Sequence, residues 1–324
     1  MLIFADILSS TILFAVPLLL VALGGMFSER SGIINIALEG IMIIGALMSC
    51  LFLRAMDLNG WGALHPQLAV FLSILVAALS GAVFSMLLAF ASVHLKANQT
   101  IGGTALNMLA PAFAIVLTWA IQGQGQTTIV IPKWVRITSE ASQDVFFNRL
   151  IFKSLYLTTP VAIVLFIASV ILLYKTRLGL RLRACGEHPQ AADSAGTNVY
   201  KLRYIGVFIS GLLGGFGGLA FTVAAGSGFQ SQVAGYGFLA LAVMIFGNWK
   251  PLNILGASLF FAFFKILASY SGSISFLPDF EGVKSSEYIY LMLPYIVTMI
   301  VLVLTSKKSR APKAEGIPYD KGSR

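Results

Sequence analysis

Residues 67–93 read QLAVFLSILVAALSGAVFSMLLAFASV, without one charged side chain. A helix crossing the hydrocarbon core of a bilayer needs about 20 mostly apolar residues, and this run is long enough. Comparable runs recur at roughly 7–27, 33–53, 101–121, 155–174, 204–225, 236–249, 253–270 and 287–305. They predict an all-α polytopic membrane protein of about nine transmembrane helices. The run 236–249 is short for a perpendicular crossing and reads equally as a re-entrant segment or as part of its Pro251 neighbour. Ten spans is the other count the sequence permits.

Composition agrees: 57% of the 324 residues are hydrophobic and 11% charged, against about 25% charged in soluble domains. No polar stretch is long enough for a soluble catalytic domain. The formal charge of +9 sits at the ends of apolar runs and in two short stretches, which is topology signalling and not a nucleic-acid footprint. Met1 to Phe27 lacks a basic leading region and a small-residue cleavage site, so it reads as a retained first span. Cys50 falls in an apolar run and Cys185 in a basic loop. Opposite environments and no disulfide are expected.

Basic flanks stay on the cytoplasmic side. Lys175, Arg177, Arg181, Arg183, Lys201 and Arg203 mark one inner loop, and Lys307, Lys308, Arg310 and Lys313 mark an inner tail. Four spans lie between, so both fit inside. Counting back places the N-terminus outside and Arg30 and Lys96 inside. The segment 122–154 then lies outside in spite of Lys133, Arg136, Arg149 and Lys153. Residues 1–306 therefore read as one membrane domain with a cytoplasmic loop at about 175–203, and 307–324 as a basic cytoplasmic tail.

The second run contains IALEGIMIIG at 36–45 and the seventh LALAVMIFG at 239–247. In this topology the two run in opposite directions, as in an inverted repeat; chance matching of short apolar runs explains the echo equally well.

The inner loop holds GEHPQAADSAG at 186–196. Pro189 suits the first position of a helix, Glu187 its positive end, Ala191 and Ala192 its interior, and Gly196 its left-handed terminator. A helix of about two turns is predicted, either protruding to meet a partner or lying on the membrane surface.

Gly186-Glu187-His188-Pro189, Ala191-Ala192, Ala195-Gly196 and Asn198-Val199 resemble the G-E-N-P-x-A-A-x-x-A-G-I-N-V loop of ATP-binding-cassette permeases of the branched-chain amino-acid and simple-sugar (ribose-type) family. His188 replaces the usual Asn. Glu29-Arg30-Ser31-Gly32-Ile33-Ile34-Asn35-Ile36, with Glu39-Gly40, is similar to the signature of the nucleoside branch. The resemblance implies a transport subunit translocating nucleosides or related compounds, with ribose-type sugars the second choice. It implies that Gly186, Glu187, Pro189, Ala191, Ala192 and Gly196 dock on a separate ATPase subunit, which holds ATP-Mg. It also implies a second permease, more often non-identical, an extracytoplasmic substrate-binding protein and a place in a bacterial cytoplasmic membrane. The sequence lacks a G-x-x-x-x-G-K-[ST] phosphate loop, so ATP hydrolysis is assigned elsewhere. No catalytic residue, metal ligand or bound cofactor is expected in this chain.

Polar residues inside spans are costly and therefore suspect. Glu39, with Asn35 one turn before it, either lines the substrate path or bonds to a helix end or Arg30. Thr104 and Asn107, near Pro111, are path candidates or helix-to-helix hydrogen bonders. Lys265 reads as a snorkelling residue at the outer interface. Gly211, Gly214, Gly215 and Gly218 have small-x-x-x-small spacing for close helix packing. An ion-coupled carrier is the competing class, for which Glu39 is the one serious ion-binding group.

Overall fold

A computed structural model describes residues 2–137, 156–270 and 311–321, together with 292, 293, 295, 296, 299 and 300. The described residues form eleven α-helices: α1 (Leu2–Arg30), α2 (Leu38–Leu58), α3 (Trp61–Leu64), α4 (Pro66–Val93), α5 (Gln99–Gln122), α6 (Thr158–Lys175), α7 (Arg177–Glu187), α8 (Pro189–Ser194), α9 (Val199–Ala225), α10 (Tyr236–Phe246) and α11 (Pro251–Tyr270). Seven of these, α1, α2, α4, α5, α6, α9 and α11, are long and apolar enough to cross a membrane. The run 236–249 yields α10, whose 11 residues cover only about 16 Å. The run 287–305 lies largely outside the described residues.

Two differences from the sequence reading have a local reason. The second helix begins at Leu38, because α1 stops at Arg30 and Gly32 turns the chain at φ +95°. Asn35 is therefore not on the helix face of Glu39. The basic stretch after Lys175 is not a loop but helix α7. Thr176 caps it by accepting a hydrogen bond from the Gly179 N–H at 3.1 Å, and Leu182 and Cys185 point to the buried side.

Helix α9 is the centre of the bundle and packs on α1, α2 and α4. Its glycines set the separations. A Cβ at Gly211 would stand 2.6 Å from the Cα of Ala82 in α4, and one at Gly214 would stand 2.9 Å from Ile41 Cγ2 in α2. At Gly215 and Gly218 it would collide with the carbonyl oxygens of Ala77 and Met42. Backbone-to-backbone contact of this kind substitutes for the hydrophobic drive that lipid removes.

The consequence is testable by unfolding in detergent. Gly215→Leu is expected to lower stability by about 3 kcal/mol or more, since backbone on two helices would have to separate. Gly256→Ala, in α11 where no atom lies within 4 Å of the added carbon, is the neutral control.

Candidate functional site

The predicted protruding helix is present but shorter than two turns. His188 adopts an extended φ of −146° between α7 and α8, and Pro189 opens α8 at its first turn. Gly196, at φ +77°, ends it: its N–H bonds the Asp193 carbonyl at 2.9 Å and that of Thr197 bonds Ala192 at 3.0 Å. Gln190, Ala191 and Ser194 are exposed on α8, whereas Pro189 and Ala192 are buried against the chain itself. Glu187 does not serve the positive end of α8. It closes α7 and forms an ion pair with Arg30 at 3.7 Å.

That pair joins two sequence motifs more than a hundred residues apart. Arg30 also donates to the Trp249 carbonyl at 3.1 Å, and the Trp249 indole N–H donates to Glu29. Gly186 sits so close to the Arg30 carbonyl that any Cβ would strike it. Cys185 is fully buried, contrary to the expected contrast with Cys50, and its thiol faces the Ser31 carbonyl at 3.4 Å. Burial raises the pKa of this thiol, and the charge of Arg203 opposes the rise. Both cysteines are free.

The end of the chain enters the same cluster. Glu315 lies beside Glu29 and Arg30, and burial pushes its carboxyl up to about 7, while a hydrogen bond with Glu29 and the Arg30 charge act in the opposite direction. Nothing in the basic composition of the tail signals this docking.

Deeper in the bundle, Glu39 takes neither Arg30 nor its own helix end as partner. Its two oxygens accept the N–H groups of Gly235 at 2.9 Å and Gly237 at 2.6 Å. It thus caps the start of α10, where a carboxylate is favoured by the helix dipole and by two unpaired donors. Gly235 takes φ +75°, and Gly237 packs so tightly on the Glu39 backbone that no side chain fits.

The other path candidates separate. Asn35 is buried and donates to Ser210 Oγ at 2.8 Å. Asn107 accepts from the Gly40 N–H and donates to the Ile36 carbonyl, each at 2.8 Å, and so stitches the break before α2. Thr104 is exposed and bonds its own helix through the carbonyls of Thr100 and Ile101.

Lys265, read as a snorkelling residue, turns its ammonium to aromatic rings of the bundle. Its ammonium stands 4.0 Å from the ring centroid of Tyr236, 5.2 Å from Phe14 and 5.9 Å from Phe221. Such cation–π contacts partly replace lost hydration. Tyr236 is the residue between the two glycines that hold Glu39, so a carboxylate and an ammonium flank the start of α10. The signals available in sequence were a lone cation in a Phe-rich run and the Gly235-Tyr236-Gly237 triplet before a short apolar helix.

Two outcomes follow. Glu39→Gln keeps shape but weakens two charge-assisted bonds, and is expected to cost about 1–3 kcal/mol in detergent unfolding. The raised carboxyl of Glu315 favours the docked tail when protonated. That contribution is complete below the ordinary carboxylate range, declines as pH rises toward about 7 and is flat above it. Facing Glu315 are Glu29 and Arg30 of α1. Glu315→Gln is therefore expected to flatten this part of the stability–pH curve, by about 1 kcal/mol after screening at a partly exposed group, read from thermal midpoints at pH values from acid to neutral.

Residues 7–303 match the family described as branched-chain amino acid transport system / permease component. The chain is similar to the guanosine ABC transporter permease protein NupQ of Bacillus subtilis, with 43% identity over 320 residues that cover 98% of this chain and 97% of that protein. It is 42% identical to the nucleoside ABC transporter permease protein NupC of Lactococcus lactis subsp. cremoris, over 97% of this chain and 96% of that one. It shares 25% identity with the nucleoside ABC transporter permease protein NupB of the same organism, over 95% of this chain and 84% of that protein. No solved structure matches. A bundle of membrane-length helices, two motifs meeting at one end and similarity along nearly the whole length have one conclusion: the chain belongs to the family of permease components of branched-chain amino-acid-type transport systems.

Proposed function

We propose that this chain is a membrane-spanning permease subunit of an ATP-binding-cassette importer that carries nucleosides, purine nucleosides such as guanosine foremost, across a bacterial cytoplasmic membrane. The observation that carries the reading is the full-length similarity to the guanosine and nucleoside permeases. The exposed face of α8, made by Gln190, Ala191 and Ser194, enters a groove on a separate ATPase subunit that binds and hydrolyses ATP-Mg. Closure of the ATPases pushes α8, and the Arg30–Glu187 pair hands the displacement to the inner ends of α1 and α10.

In this reading the α7–α8 end and the tail face the cytoplasm, and the N-terminus lies outside. A soluble binding protein delivers substrate to the opposite end. The second permease of the complex is a non-identical chain, in keeping with the NupB and NupC pair of names in one organism. Glu39 and Lys265, flanking the start of α10, lie on the path side of the bundle.

Proteoliposomes holding this chain, its ATPase, the second permease and the binding protein test the proposal. Labelled guanosine is expected to accumulate with ATP and not without it. Ala191→Arg, at an exposed position, is expected to fold normally, release the ATPase on purification and lower uptake about tenfold or more, since an unpaired charge enters the interface. Accumulation of ribose or glucose in place of guanosine overturns the substrate. Uptake that persists without ATP and collapses with an ionophore overturns the class.

A further inference from the structure

Residues 311–321 cross the same end of the molecule as α8, and they touch it and the bundle at alternating points. The Ala314 N–H donates to the Gly186 carbonyl at 2.8 Å, and that of Gly316 donates to the Gly32 carbonyl at 3.3 Å. Arg203, buried in α9, donates from Nη2 to the Ile317 carbonyl at 2.9 Å. Tyr319 packs edge-on to Tyr200 with centroids 5.4 Å apart, and is buried in one cluster with Cys185, Ala192, Val199 and Leu202. Lys96, between α4 and α5, pairs with Asp320 at 2.9 Å, and Lys321 reaches Asp193 of α8 at 4.0 Å.

This arrangement is more than a tail resting on a surface. Ala192 and Asp193 belong to the helix that pushes. Gly32, Arg203 and Lys96 belong to the body that must respond. One short segment holds both sets, with main-chain hydrogen bonds on one side and a buried aromatic ring on the other. Arg203 is 1% exposed, and residues 311–321 supply the Ile317 carbonyl to which it donates, so lifting the segment leaves a buried cation under-bonded.

We propose that residues 311–321 are a clasp that makes α8 and the inner ends of α1, α4 and α9 one rigid body, so that displacement of α8 becomes displacement of the transport helices. Tyr319, Arg203 and Gly316 are positioning residues in this scheme; none need touch substrate or nucleotide. The inference rests on α8 being the ATPase contact proposed above.

The test uses the assembled transporter, with three readouts: ATPase retained on purification, ATP hydrolysed, and nucleoside accumulated. Tyr319→Ala, and a chain ending at Arg310, are expected to keep the ATPase bound and hydrolysing while nucleoside moved per ATP falls about tenfold, that is by about 1.4 kcal/mol of coupling. Tyr319→Phe keeps the ring and is expected to keep the ratio, as is Lys313→Ala at an exposed position. If less protein accumulates in the membrane but nucleoside per ATP is unchanged, the segment serves stability alone and the proposal is wrong. If the ATPase is lost and the ratio of the remainder is unchanged, it is a docking surface and the proposal is equally wrong.

A second arm is independent of substrate identity. On a Cys50→Ala background, Cys185 lies beneath the clasp and reports its closure to a water-soluble maleimide. Labelling is expected to stay slow in both resting and ATP-vanadate-trapped wild-type complex and to become at least about tenfold faster in Tyr319→Ala, as for a thiol brought from burial to solvent. Fast labelling on trapping the wild type shows a clasp that lets go during the stroke and overturns the rigid-body scheme. Absence of nucleoside uptake by the wild type overturns the substrate reading, while this arm still decides the clasp.

Discussion

In hydrocarbon an unpaired backbone N–H or C=O costs several kcal/mol, and broken helices survive only where the protein itself supplies partners. Among the described residues, two non-helical segments, 31–37 before α2 and 226–235 before α10, are closed by partners from elsewhere in the bundle. In the first, Ser28 donates to the Ile33 carbonyl at 2.8 Å, and the Gln99 side chain accepts the Ile34 N–H at 2.8 Å. Asn107 then closes the gap between Ile36 and Gly40. In the second, Phe229 and Ile129 exchange backbone bonds at 2.8 and 2.9 Å, and Ser231 donates to the Thr127 carbonyl. Glu39 completes that break at Gly235 and Gly237. Helix α5 and the segment after it are thus fastened to the bundle through the repair of its breaks as well as through apolar packing.

The two breaks meet at Glu39. It lies in the first turn of α2 and caps the first turn of α10, so one carboxylate ties the start of α10 to α2. Each start carries unsatisfied donors and the positive end of a dipole, and they would repel without an anion between them. Neutralising that anion is therefore felt by both helices. Gly237 is required because a side chain there would push Glu39 away, which is why the glycine and the carboxylate form one unit.

Spans were legible because a run of about 20 apolar residues has few other uses. The close-packing glycines of α9 were legible because their spacing already places them on shared faces. The partners were not. Glu39 and Gly235 are 196 positions apart, and the first motif shows only that a carboxylate is buried, not what it caps. The helical nature of α7 was hidden by its arginines, which face outward around the buried Leu182 and Cys185. The tail was hidden by the same signal: basic residues outnumber acidic ones over 307–324, while Pro312, Ala314 and Tyr319 are buried. Charge marks which end of the molecule a segment occupies, and burial within that segment depends on contacts the local sequence does not encode.

The position of α10 ties these features into one mechanical argument. Its C-terminal side runs into Trp249, whose carbonyl is held by Arg30 and whose indole is held by Glu29; Arg30 in turn holds Glu187, one step before α8. Its N-terminal side is held by Glu39 and lies under the Lys265 ammonium through Tyr236. A helix of 11 residues is stiff over its about 16 Å. Through Trp249 and Arg30 it joins Glu39 and Lys265 to the end where α8 is exposed. A full-length span in its place would put the same interior groups a membrane's width from its far end. The shortness of α10, which made it the least recognisable span in sequence, is what brings Glu39 and Lys265 within one rigid element of the end where α8 is exposed.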